Sequence, residues 1–241
     1  MKKAEREAAW RDIARRVAHE IKNPLTPMKL SIEHLYDVYS NDKNGLKNNF
    51  ADVLKKTRNI IINEIDKLNK IATEFSNFAK LSGRNYEETN LNEIIDEVIS
   101  LYKSAPEIVF VESFDYNLKK IYADKQELNR VFQNLIKNSI QSINTSGKIE
   151  LKTYQENEFI FAEVKDNGCG IEPAMLNNLF EPNFSTKSTG MGLGLAITKK
   201  SLDDMKATIT FESKIDKGTK VIIKFYPFVE NLKINSELSN E

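Results

Sequence analysis

Hydrophobic periodicity changes once along this chain, and the change decides what it can fold into. From about residue 5 to 40, apolar residues recur every three or four positions: Trp10, Ile13, Val17, Ile21, Leu25, Met28, Ile32, Leu35 and Tyr39. That spacing predicts one long helix. Pro24 and Pro27 fall inside it, so an interruption and a bend are expected just after residue 23. The polar stretch Ser40 to Gly45 has turn chemistry. A second helix is predicted over about 48–81, with Phe50, Leu54, Thr57, Ile61, Glu64, Leu68, Ile71, Phe75 and Phe78 on one stripe. Two such helices make an antiparallel hairpin too thin to bury a core of its own. A long, regular seam wants partner helices, and two copies would give a four-helix bundle. The plainer alternative is a helical pair packed on the rest of the same chain.

Residues 82–90 read as a polar linker. Beyond them, helical segments at about 91–103, 124–144 and 192–206 alternate with strand-like runs at 107–112, 148–154, 158–165, 207–213 and 219–226. Period-two alternation is plain in Ile149, Leu151 and Thr153, and in Ile160, Ala162 and Val164. The expectation is a helical hairpin over 1–83, an α/β sandwich over 84–228 and a polar, frayed tail over 229–241.

Composition removes several classes of function. Lys and Arg number 35, balanced by 35 Asp and Glu, so no global basic field points to nucleic acid. One cysteine, Cys169, excludes an internal disulfide framework and suits a reducing compartment. No apolar run reaches the length of a membrane span, and the first residues lack the apolar core of a signal peptide. A soluble, cytoplasmic chain without direct membrane contact is expected, either by itself or as the cytoplasmic part of a longer, membrane-anchored protein.

Within the first helix stands His19-Glu20-Ile21-Lys22-Asn23-Pro24. His19 is two residues, about 200° of helix rotation, from Val17 and from Ile21, so it faces away from the seam. An imidazole with its ordinary pKa near ~6.5 keeps a free lone pair at neutral pH. Glu20 can accept a hydrogen bond from one ring nitrogen and so raise the nucleophilicity of the other. Asn23 shares the face of His19, where it could orient a water or a phosphoryl oxygen. A solvated surface histidine is the bland alternative. His34, beside the stripe with no adjacent acid, reads as structural.

Farther along, Asn134 and Asn138 stand at i and i+4 on the polar face of a helix whose other face carries Leu128, Val131, Leu135 and Ile140. Paired carboxamides there suit Mg2+ and phosphate oxygens; two solvated asparagines are the alternative. Asp166 ends a predicted strand and could accept the exocyclic amine of adenine, with Gly168 and Gly170 supplying unusual backbone angles. The alternative is an ordinary Asp-Asn-Gly turn. Cys169 between the two glycines reads as a spacer. Phe180 to Phe184 looks like an aromatic anchor for the polar loop 185–189, a lid in which Lys187 could meet phosphate. Gly190, Gly192 and Gly194 then open a helix whose backbone amides would favour an anion. The spacing fits neither a P-loop nor a dinucleotide fingerprint.

These motifs, in this order, resemble those of sensor histidine kinases of two-component signalling, over about residues 8–227. His19 to Pro24 looks like the phosphoacceptor box, Asn134 to Asn138 the N box, and Asp166 to Ile171 the first glycine box. Phe180 to Phe184 looks like the F box, Gly190 to Leu195 the second glycine box, and Gly218 with Thr219 the third. The lead-in Ala9 to Ala18 and the extension Leu25 to Pro27 look most like the NtrY branch. The resemblance implies an α+β chain: a dimerisation and histidine-phosphotransfer hairpin followed by a GHKL (Bergerat-type) ATP-binding sandwich. It implies ATP and Mg2+ as cofactors, a homodimer through the hairpin, and the receiver domain of a response regulator as partner. His19 would be the phosphoacceptor, Glu20 its activating base, Asn138 the Mg2+ ligand with Asn134 supporting, and Asp166 the reader of adenine. Asn23 matches a position that orients water for dephosphorylating the regulator. The ATP-hydrolysing relatives carry a glutamate at the position of Asn134, and an asparagine cannot act as that base. Met191 departs from the threonine common in the second glycine box, and no sensor module stands before residue 5. A non-catalytic ATP-binding scaffold, a phosphatase-only regulator and a chaperone-like ATPase stay as competing readings.

Overall fold

A computed structural model describes residues 2–41, 47–79, 85–103, 107–181, 184, 192 and 194–228. The chain forms two compact units, one holding the helices of the first 82 residues, the other an α/β unit drawn from residues 83–181 and from 194 onward.

In the helical unit, α1 spans Lys2–Asn41 and α2 spans Lys47–Ala79. They run antiparallel, since Tyr39 meets Phe50 while Ser31 meets Thr57, whose hydroxyl donates to the Ser31 carbonyl at 3.4 Å. The expected interruption does not occur: Pro24 and Pro27 both lie inside α1, each removing one helical donor. Pro24 is buried, so its loss is offset by packing. The seam also differs in detail from the sequence stripe. Val17, Pro24, Ser31 and Val38, a strict seven-residue repeat, face inward on α1, and Phe50, Thr57, Glu64 and Ile71 do so on α2. Ile21, Leu25, Ile32, Tyr39 and Leu54 are exposed. They form a second apolar face beside the first. His34 is exposed as well, which corrects its reading as structural.

The α/β unit has a five-stranded sheet in the order β2-β4-β5-β7-β6, built from β2 (Ile108–Phe114), β4 (Gly147–Glu156), β5 (Phe159–Asp166), β6 (Thr208–Lys214) and β7 (Gly218–Phe225). The β2–β4 pair is parallel and every other pair antiparallel. A smaller sheet pairs β1 (Tyr86–Thr89) with β3 (Ile121–Asp124). Residues 86–89 are therefore strand where a linker was expected. Helices α3 (Leu91–Tyr102), α4 (Lys125–Ser142) and α6 (Gly194–Asp204) pack on one face, and α5 is a single turn at Pro173–Leu176.

Alternation explains the layering. Ile149, Leu151, Ile160, Ala162, Val164, Val221 and Ile223 point into a core shared with Ile95, Leu128, Phe132, Leu135 and Leu202. The opposite sheet face is polar and aromatic: Tyr154 stacks on Phe161 at 5.0 Å and donates to Glu163. Asp124 starts α4, its Oδ1 accepting from the amides of Gln126 and Glu127 and its Oδ2 from Asn85. That cap fixes the helix on which both asparagines ride.

Candidate functional site

Asp166 is the last residue of β5, a central strand, and its side chain points to the helix-covered face, where it is only 5% exposed. Four donors converge on it. Oδ1 accepts from the Gly168 amide at 2.9 Å and the Thr219 amide at 3.2 Å, with Ser142 Oγ at 3.1 Å. Oδ2 accepts from Ser139 Oγ at 3.1 Å. Among the described residues no lysine or arginine pairs with it. Neutral donors alone satisfy this buried carboxylate, and Oδ2 retains an acceptor position after Ser139 is counted. Such a position can receive an N–H from a ligand.

The surrounding glycines hold the backbone close. At Gly168 a Cβ would overlap Ser142 Oγ and stand 2.6 Å from the Ser142 carbonyl oxygen. Its φ is not positive, so the sequence reading is corrected there: Gly168 is needed for close approach and not for an unusual angle. Gly170 (φ 72°) and Gly218 (φ 93°) do take left-handed angles. A Cβ at Gly218 would overlap the Asp166 carbonyl oxygen, so β7 enters directly against the end of β5. Cys169 is exposed, with its amide donating to the Ser142 carbonyl at 3.0 Å.

Asn134, Asn138 and Ser142 share one i, i+4 ridge of α4, about 12 Å long at 1.5 Å per residue. Its ends meet different elements. Ser142 touches the Asp166 turn, whereas Asn134 Nδ2 donates to Thr198 Oγ1 on α6 at 2.9 Å. A Cβ on Gly194 would stand 2.6 Å from Asn134 Oδ1, so a larger residue there would displace that carboxamide from its place against α6. Glu127 ties the same two helices, accepting from Ser201 Oγ at 2.8 Å and pairing with Arg130 at 2.6 Å. Asn138 lies between the two ends. Phe180 packs edge-on against Phe211 at 5.5 Å. Gly192 has φ 62°, and Lys187 and Gly190 lie outside the described residues.

His19, Glu20 and Asn23 belong to the other unit. On α1, His19 and Asn23 are exposed one turn apart and Glu20 is half-buried. Just beyond them, the Thr26 hydroxyl donates to the Lys22 carbonyl at 3.3 Å.

Sequence reasoning missed Ser139, Ser142, Thr198 and Ser213. Ser139 gave a usable signal, because it continues the buried stripe Leu128, Phe132, Leu135 as a polar residue. The others are brought in only by long-range pairing.

An adenine nucleotide fits the chemistry of these groups. The Asp166 acceptor, the Gly168 and Gly218 close approaches, and a carboxamide ridge leading to a glycine-started helix are what base, sugar and phosphates would require. For a divalent ion, no cluster of three acidic, histidine or cysteine side chains occurs among the described residues. Mg2+ suits such a place, because it takes few protein oxygens and keeps waters and phosphate oxygens. No described helix is long and apolar enough to cross a membrane.

Comparison with known proteins agrees with this geometry. Residues 9–84 match the His Kinase A (phospho-acceptor) domain, and residues 123–229 match the histidine kinase-, DNA gyrase B- and HSP90-like ATPase family. An NtrY-like sensor histidine kinase of Rickettsia prowazekii is 33% identical over 226 residues, covering 92% of this chain and 37% of the relative. The signal transduction histidine-protein kinase AtoS of Escherichia coli is 29% identical, over 88% of this chain and 34% of its own length. The chain thus spans about a third of these curated relatives. The crystal structure of histidine kinase ThkA in complex with response regulator protein TrrA superposes with TM-score 0.72 at 27% identity, over 94% of this chain and 64% of that one. With both modules matched in order and a relative 33% identical over 92% of this chain, the chain belongs to the sensor histidine kinase family and is most like its NtrY branch.

Proposed function

We propose that this chain is an ATP-dependent protein-histidine autokinase that phosphorylates His19 and passes the phosphoryl group to an aspartate of a response regulator. The observation that carries the reading is the Asp166 cradle, a buried carboxylate held by amide and hydroxyl donors, with no lysine or arginine paired to it among the described residues and one acceptor position left. It would accept the exocyclic amine of adenine. In the transfer step a ring nitrogen of neutral His19 attacks the γ-phosphorus. The bond to the β,γ-bridging oxygen breaks and ADP leaves, while Glu20 stabilises the proton on the other ring nitrogen. Asn138 would contribute a carboxamide oxygen to Mg2+, which when bound neutralises phosphate charge. Asn134, anchored to Thr198, would hold the start of α6 and its preceding loop, with Lys187 and Gly190 to Gly194 around the phosphates. An asparagine at position 134 cannot act as the general base for water that a glutamate there would supply, which favours transfer over hydrolysis.

The second apolar face of the hairpin supports a homodimer, since Tyr36 and Tyr39 are 68% and 69% exposed in a single chain. Asn23, exposed one turn from His19, suits a water-orienting role in dephosphorylating the regulator. The chain would work in the cytoplasm.

The test is incubation with ATP labelled on the γ-phosphate, beside His19→Gln. Acid-labile, alkali-stable label that disappears in the variant is expected. ATP binding without label would leave a scaffold or phosphatase, and ADP release without label an ATPase.

A further inference from the structure

Ser213 belongs to none of the sequence motifs, yet its half-buried hydroxyl joins two of them. It lies on β6, where Oγ accepts from the Ile171 amide at 2.8 Å, donates to the Gly218 carbonyl at 3.0 Å and lies 2.9 Å from Thr219 Oγ1. Ile171 closes the turn that begins at Asp166, and Gly218 and Thr219 open β7. These two segments flank the Asp166 carboxylate and supply both of its backbone donors, the amides of Gly168 and Thr219. A hydroxyl has one proton and two lone pairs. With the proton on Gly218 and one lone pair on Ile171, the second lone pair receives the Thr219 hydroxyl proton. All three capacities are then used within the two segments, and the Thr219 rotamer is set.

We propose that Ser213 is a positioning residue for purine recognition. Through Ile171 on one side and Thr219 on the other, it fixes the direction in which the remaining acceptor position of Asp166 points. This rests on Asp166 as the acceptor of the purine amine. Removing the hydroxyl leaves the Ile171 amide and the Gly218 carbonyl without their partner, and the turn and β7 can shift independently. The carboxylate stays in place but loses its aim. The penalty should therefore fall on ligands that use the amine.

The experiment measures calorimetric affinities of the full chain for ATP and for purine riboside triphosphate, which differs only in lacking the 6-amino group. The parent, Ser213→Ala and Ser213→Thr are compared, with thermal unfolding recorded in parallel. The alanine variant should bind ATP roughly tenfold more weakly while the amine-free analogue changes by less than about threefold, and threonine should restore the difference. Equal weakening of both ligands would overturn the inference, because a merely loosened fold would do that. So would an unchanged ATP affinity, or a folded threonine variant that behaves like alanine. A parent chain that binds both ligands equally would instead sink the assignment of Asp166, before any variant is compared.

Discussion

Replacing Gly168 with alanine tests the close approach at the base of the site. The native φ is not left-handed, so alanine carries no conformational penalty there and would by itself stiffen the unfolded chain slightly. The cost is steric. The new methyl would overlap Ser142 Oγ and stand 2.6 Å from both Ser142 Cβ and the Ser142 carbonyl oxygen. The hydroxyl can rotate away, giving up its contacts with Asp166 and Ser139, but the carbonyl belongs to the backbone of α4 and cannot. Regaining ordinary contact requires the turn and α4 to part by roughly 1 Å. That would stretch the Ser139–Asp166 hydrogen bond, now 3.1 Å, and the Cys169–Ser142 hydrogen bond, now 3.0 Å, beyond useful length. One charge-assisted and one neutral hydrogen bond, together with overpacking, come to about 3–5 kcal/mol. For a unit of this size that is a fall of roughly 10–20 °C in Tm. Calorimetric unfolding of the chain, with ATP affinity measured alongside, reads it directly. In a Ser142→Gly background the Oγ and Cβ overlaps vanish and only the carbonyl remains, so the same substitution should cost about half as much. A Gly168→Ala chain within about 0.5 kcal/mol of the parent, or an equal cost in both backgrounds, would refute the argument.

Asp166→Asn places an amide nitrogen among donors, so ATP affinity should fall at least a hundredfold while binding of the amine-free purine analogue falls far less; calorimetry separates the two. Asn134→Ala removes the partner of the buried Thr198 hydroxyl and should destabilise the unit by about 1–3 kcal/mol, weakening ATP but leaving adenosine affinity unchanged, as paired binding isotherms would reveal. Tyr154 has its phenol pushed up to about 12, first by burial, then by its hydrogen bond to Glu163 and by the charges of Glu163, Glu156 and Glu212. A raised folded-state pKa contributes stability that is complete below pH ~10 and lost as pH rises toward 12. Tyr154→Phe should remove this loss, and ultraviolet titration of the phenolate locates it.

What the sequence conveyed depended on whether a signal was local. Ile160, Ala162 and Val164 alternate because one sheet face is buried, and β5 follows from them. β1 has only four residues, two of them exposed glutamates, and it becomes a strand solely through β3. On α1, an apolar residue can face the second helix or an open side equally well by spacing alone. Spacing therefore groups Ile21 and Leu25 with Val17, whereas Pro24 and Ser31 line the seam. Asp166 and the asparagines were legible as types at particular spacings. Of the serines around Asp166 only Ser139 left a signal, as a polar residue on a buried stripe; Ser142 meets the carboxylate across 24 positions, and Ser213 reaches Thr219 only because β6 pairs with β7.

The strand order places β5 and β7 side by side with a paired strand beyond each, so neither is a sheet edge. The amide of Thr219, near the start of β7, and that of Gly168, buried in the turn just after β5, both bond the carboxylate of Asp166 at the centre of the sheet. Their hydrogen exchange should therefore follow global unfolding of the unit, whereas amides near the start of α6 should exchange through local opening. The base end of the site would then keep its shape through every fluctuation that reorganises the phosphate end.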